Sequence, residues 1–185
     1  MFRSRNTFVD KQVLSDMKEK QRRYEALVNA FHADIYRYAF WLVKDKTTAE
    51  DIVQETFLRA WRSLDALVDE KAAKSWLITI LRRENARRFE RKQFETVDID
   101  DVSVADTSHS HDDRLHHREL HRHLAALSDE YREPLLLQLI FGYSTEEIAS
   151  ELGMNKNTVM TRLFRARNQI KEALTQQQPR GRSNG

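Results

Sequence analysis

Cysteine is absent from the 185-residue chain. That rules out disulfides and thiolate metal sites and fits a reducing compartment such as the cytoplasm. Glycine (4) and proline (2) are scarce, so few turns are marked. Strands normally need that punctuation, and its scarcity favours helices. No apolar run approaches the ~18 residues of a membrane-spanning helix, so no membrane insertion is expected. The N-terminus has no apolar stretch of the signal-peptide kind. There is no GxGxxG or Walker pattern, and no segment offers a rigidly held pair of catalytic carboxylates. The expectation is therefore a protein that is not an enzyme, with no catalytic residues, metal or cofactor.

Charge is plentiful and unevenly placed. The net charge is only +2. Between Phe94 and Asp113, however, stand seven acids (Glu95, Asp98, Asp100, Asp101, Asp106, Asp112, Asp113) and no Lys or Arg. Six bases lie between Trp76 and Lys92, opposed by Glu84 and Glu90, and five between Asn155 and Ala173, opposed by Glu172. Two basic segments thus flank an acidic one. Basic stripes on helices are the footprint of nucleic-acid binding, although solvated helix faces show the same pattern.

The apolar residues arrange these charges on helices. Residues 1–23 are polar and basic without a sustained period, and read as a mobile arm, helical at most near its end. Leu27, Phe31, Ile35, Tyr38 and Leu42 then recur at helical steps. Lys44–Lys46 breaks the pattern. Thr47 with Glu50 forms a capping box for a second helix striped by Val53, Phe57, Ala60, Trp61 and Leu64. A third helix spans about Ser75 to Lys92. Residues 94–114 read as an acidic flexible linker, in which TVDIDDVSV has strand-like alternation but no partner run. Helical spacing resumes with Leu120, Leu124 and Leu127. The next helix, capped by Ser128 or Asp129, carries Leu135, Leu136, Leu139 and Ile140 and ends near Gly142. The predicted architecture is all-α: two small helical domains at 24–93 and 115–176, with an N-terminal arm (1–23) and a flexible tail (177–185).

Residues 144–167 read as a helix-turn-helix. Ser144 with Glu147 is a capping box, and Ala149 is small where a second helix crosses. Gly153 suits a positive φ in the turn, and Val159 fills the angle between the helices. The second helix, capped by Asn155, then offers Lys156, Asn157, Thr158, Thr161 and Arg162 to a major groove, with Lys156, Asn157, Thr158 and Arg162 as the base-edge candidates. Arg165 and Arg167, further along, suit phosphates.

Three segments carry a resemblance to a known family. "AEDIVQETFLRAW" (from Ala49 to Trp61) closely resembles region 2.2 of extracytoplasmic-function (ECF) sigma factors of the sigma-70 family. "SWLITILRRENARRFERK" resembles region 2.3–2.4, and "YSTEEIASELGMNKNTVMTRLFRAR" resembles region 4.2. The resemblance implies a subunit that binds core RNA polymerase and directs promoter recognition. Asp51, Gln54, Glu55 and Leu58 would dock on the clamp helices of the largest subunit; Asp51, Glu55 and Leu58 share a helix face by spacing. Trp76, Arg82, Arg83, Arg87 and Arg91 would meet the opened −10 element. The helix-turn-helix would read the −35 element. The linker would thread the polymerase's nucleic-acid channel. The flap of the second-largest subunit and an anti-sigma factor are further implied partners. A stand-alone helix-turn-helix regulator is the alternative; it leaves the Ala49–Trp61 helix and the basic third helix without a task.

The chain departs from the family pattern in two places. Thr48 stands where the family usually has Asp, and reads either as part of the helix cap or as a phosphate acceptor. Arg82-Arg83-Glu84-Asn85-Ala86-Arg87 stands where many members have Arg-Asn-x-x-x-Asp, which makes this surface more basic. Six histidines lie between His109 and His123. His117 and His121, four apart, have a spacing that suits a divalent ion, although a polar helix start explains them as well.

Overall fold

The computed structural model describes residues 4–94 and 121–177. All regular elements among them are helical: α1 (Ser4–Val43), α2 (Lys46–Arg62), α3 (Ala73–Phe94), α4 (described over 121–126), α5 (Asp129–Phe141), α6 (Thr145–Leu152) and α7 (Lys156–Gln177). Contacts divide the chain into two compact units, Met1–Ala39 with Thr47–Asp100, and Phe40–Lys46 with Asp101–Gly185. The all-α, two-domain expectation holds among these residues. The strand-like TVDIDDVSV segment and the acidic linker beyond Phe94 lie outside them.

In the first unit, Leu27, Ile35 and Tyr38 of α1 are buried with Val53, Phe57 and Ala60 of α2 and Leu77, Ile78 and Leu81 of α3. Each fully buried aliphatic side chain contributes about 1.5–3 kcal/mol. Trp61 is half-buried; Tyr24 meets it edge-on at 5.2 Å, and Lys20 lies 5.5 Å above its ring. Tyr24 donates to the carbonyl of Phe57 at 3.2 Å, and its burial raises its phenol pKa.

The N-terminal arm is corrected: α1 is 40 residues long and begins at Ser4. No Gly or Pro occurs before Pro134 to stop it. Side-chain pairs such as Arg22–Glu19 and Gln21–Glu25 support its surface. Lys20 pairs with Asp65 at 2.6 Å, and Arg23 donates to the carbonyl of Leu67 at 2.9 Å, which anchors the helix to the α2–α3 connection.

The break at Lys44 is as expected: Lys44 has φ 57, and its N–H bonds the carbonyl of Phe40 at 2.7 Å, closing α1. Because α2 starts at Lys46, Thr47 lies inside its first turn instead of preceding it. Two 3-10 turns, Leu64–Ala66 and Glu70–Ala72, lead into α3, and Asp69 caps the second by accepting from the N–H of Lys71. That turn continues into the helix, so α3 begins at Ala73, two residues before the expected start.

The second unit packs Leu124, Leu127, Leu135, Leu136, Phe141 and Ile148 with Val159, Leu163 and Ala166. Leu137 is fully buried, whereas Leu139 is 61% exposed and does not join the core face assigned to it. Gly142 ends α5 with φ 68; its N–H bonds Gln138, and that of Tyr143 bonds Leu137.

Candidate nucleic-acid interface

The helix-turn-helix forms where its spacing placed it. Ser144 accepts from the N–H of Glu147 at 3.2 Å, and the Glu147 carboxylate accepts from the N–H of Ser144 at 2.8 Å. Both halves of the capping box are therefore made, and they start α6. Gly153 ends α6 with φ 62, and the N–H of Met154 returns to the carbonyl of Ala149 at 2.9 Å. Asn155 then accepts from the N–H of Asn157 at 2.8 Å, which starts α7. Val159 is fully buried in the angle between the two helices.

The seven side chains assigned to the −35 element do not all share one surface. Asn157, Thr158, Thr161, Arg162 and Arg165 line one groove with Glu130 and Tyr131 of α5, a space of about 360 Å³. Lys156 and Arg167 are not part of it. Lys156 pairs with Glu146, and its hydrogen bond holds that carboxyl below the usual range. Arg167 donates to Gln138 of α5. Helical rotation puts both nearer Met160 and Phe164, which are exposed. Those two exposed apolar groups, with Leu174, were not singled out by spacing, since a stripe that breaks a polar face looks like noise in a sequence.

In the first unit, α2 presents Asp51, Gln54 and Leu58 to solvent and leaves Glu55 half-exposed. Asp51 and Glu55 also meet bases. Arg88 of α3 lies 3.3 Å from Asp51 and donates to the hydroxyl of Thr48 at 3.2 Å. Arg59 lies 3.0 Å from Glu55 and 2.6 Å from Glu84, a carboxylate that is almost buried. Glu84 also pairs with Arg87 at 3.4 Å. Asp51, Glu55, Arg59, Glu84, Arg87 and Arg88, with Arg91, line a second groove of about 280 Å³. Trp76, Arg83, Arg87 and Arg91, spaced seven, four and four apart, follow one side of α3; Arg82 is turned away by about 100° and is half-buried. Trp76 is half-buried as well. Arg59 and Arg88 were not assigned a role from sequence; only the approach of α2 to α3 reveals them.

Of the clustered histidines, His109, His111, His116 and His117 lie outside the described residues, so the His117–His121 pair is not described as a pair. His121 is exposed and His123 is buried. Among the described residues no group of three His, Cys, Asp or Glu side chains is placed to hold a metal ion. No described helix is long and apolar enough to cross a membrane.

Comparison with known proteins agrees with this organisation. Residues 27–95 match the Sigma-70 region 2 family and residues 117–170 the Sigma-70, region 4 family. The chain is 35% identical over 164 residues to the RNA polymerase sigma factor SigV of Bacillus subtilis, covering 87% of this chain and 98% of that protein. It is 32% identical over 147 residues to the ECF RNA polymerase sigma factor SigL of Mycobacterium tuberculosis, covering 76% and 82% respectively. Among solved structures, the sigma factor RpoE in complex with the anti-sigma factor NepR from Bartonella quintana superposes with a TM-score of 0.67 at 28% identity, covering 85% of this chain and 98% of that one. The chain therefore belongs to the ECF sigma factors of the sigma-70 family.

Proposed function

We propose that this sigma factor works in the cytoplasm as a non-catalytic subunit, binding core RNA polymerase through α2 and promoter DNA through α3 and α7. Asp51, Gln54, Glu55 and Leu58 form the polymerase-docking face toward the clamp helices of the largest subunit. Trp76, Arg83, Arg87 and Arg91 form the −10 track, with Arg82 at its margin. Asn157, Thr158, Thr161 and Arg162 meet base edges of the −35 element, while Arg165 meets phosphate. Lys156 and Arg167 contact backbone beside that groove. The exposed apolar pair Met160 and Phe164 suits a protein partner, either the flap of the second-largest subunit or an anti-sigma factor. The observation that carries the reading is the convergence of five polar and basic side chains of α7 on one groove, directly after the Gly153 turn.

The test is co-elution of the full chain with core polymerase, followed by run-off transcription from a panel of promoters. Joint elution and initiation that depends on both promoter elements is the expected outcome. Tight, sequence-specific binding to duplex DNA by the free protein, with no association with polymerase, would instead identify a stand-alone regulator.

A further inference from the structure

Four of the five basic side chains of α7 meet groups outside their own helix. Lys156 is met by Glu146, Arg162 by Glu130, Arg165 by Tyr131 and Arg167 by Gln138. Arg162 is the most enclosed of the three that form ion pairs or line the groove by charge: its side chain is 24% exposed. One end of its guanidinium lies 3.3 Å from the sulfur of Met154, and the other lies 3.5 Å from a carboxylate oxygen of Glu130. Glu130 sits in the first turn of α5, outside the helix-turn-helix, and is half-exposed to the same groove.

A carboxylate in a DNA-reading groove works against affinity, because it repels the phosphates that supply most of the attraction. Its presence there asks for a compensating role. An arginine reads guanine through two parallel N–H groups that must lie in the plane of the base edge. A free arginine side chain samples many rotamers, and each unproductive one weakens discrimination without abolishing contact. A thioether on one side and a carboxylate on the other restrict that sampling before DNA arrives.

We propose that Glu130 is a positioning residue for promoter discrimination: it holds the guanidinium of Arg162 in the orientation that reads a guanine in the −35 element. The inference rests on the reading of Arg162 as a base-edge contact. It has a two-sided consequence. Removing the carboxylate lowers discrimination at one base position and, by removing a negative charge, raises affinity for DNA of any sequence. A residue that merely supported the fold would lower both.

The experiment uses holoenzyme reconstituted from the full chain and core polymerase. Run-off transcription is measured on promoters substituted singly across the −35 element. Binding to promoter and to unrelated duplex is measured over a range of salt. Arg162→Ala is expected to flatten preference at one position. Glu130→Ala should flatten the same position by about fivefold or more. It should also bind unrelated duplex about twofold or more tightly at low salt. Glu130→Gln keeps an acceptor oxygen and should retain most of the wild-type ranking. The double variant Glu130→Ala/Arg162→Ala should discriminate no worse than Arg162→Ala alone. If Arg162→Ala flattens a position and Glu130→Ala does not, the positioning role is overturned and the reading of Arg162 stands. If Glu130→Ala weakens all sequences equally, Glu130 only supports the fold. An unchanged ranking with Arg162→Ala removes both ideas at once. Matching thermal unfolding of the variants keeps these outcomes distinct from misfolding.

Discussion

Arg132 shows how much a single side chain can hold. Its guanidinium is buried, with a relative exposure of 2%. It donates to the carbonyl of Leu127 at 2.7 Å and that of Ala125 at 3.5 Å, and it pairs with Asp129. Those carbonyls belong to the end of α4 and the turn into α5, where a helix leaves acceptors without intrahelical donors. Arg132 supplies the donors and so fixes the start of α5, the turn that carries Glu130 and Tyr131 into the groove against α7. Arg132→Ala removes the donors and leaves a void, and should destabilise the chain by roughly 3 kcal/mol. Arg132→Met restores volume but no donors and should recover only part of that. Urea unfolding of both variants followed by circular dichroism measures the difference; a loss below about 1 kcal/mol for Arg132→Ala would show that water replaces the guanidinium there. Nothing in the linear chain marks Arg132 as buried. Arginine is almost always a surface residue, and the carbonyls of Ala125 and Leu127 that receive this one are not marked by spacing.

At the scale of the element, legibility follows the range of the interaction that decides the structure. The capping box of Ser144 and Glu147, the turns at Gly142 and Gly153, and the Asn155 cap are each set by groups within a few residues of one another. All were readable as spacings. The length of α1 was not. Its first turns carry no apolar period, and its anchors, Asp65 and the carbonyl of Leu67, lie more than 40 positions away. The exposure of Leu139 and the burial of Leu137 likewise depend on where neighbouring helices pass. The division of the α7 side chains between two faces also depends on the groove that α7 forms against α5. The local signals make quantitative predictions. Ser144→Ala breaks the capping box and should cost about 1 kcal/mol, while Ser144→Asp should retain most of that. An added Cβ at Gly153 meets nothing within 4 Å. Gly153→Ala should therefore cost only the left-handed backbone strain, about 1–2 kcal/mol, and Gly153→Asn less. Thermal unfolding ranks the four variants. A Gly153→Ala loss well beyond that range would mean that the turn also changes how α7 is presented.

At the scale of the whole molecule, the face proposed for polymerase docking and the basic track proposed for the −10 element share one charge network in the first unit. Asp51 and Glu55 of the proposed docking face are paired with Arg88 and Arg59, and Arg88 and Arg59 line the groove that also contains Arg87 and Arg91. Exposed ion pairs of this kind contribute about 0–1 kcal/mol each, so a partner helix rich in basic groups can displace them with little penalty. Asp51→Arg with Glu55→Arg places like charge against such a partner and should lower affinity for core polymerase by about tenfold or more. The same change sets new positive charge beside Arg88 and Arg59. That repulsion is small against the 5–15 kcal/mol typical of a folded chain, so the fold should survive. The neutral pair Asp51→Asn with Glu55→Gln loses attraction without adding repulsion and should fall between the wild type and the reversed variant. Competition for core polymerase against labelled wild-type protein, read alongside thermal unfolding, separates lost docking from lost structure. Undiminished competition by a folded double-arginine variant would move the docking face away from α2. Because the groove proposed for the −35 element belongs to the other unit, whatever holoenzyme the reversed variant still forms should rank −35 substitutions as the wild type does.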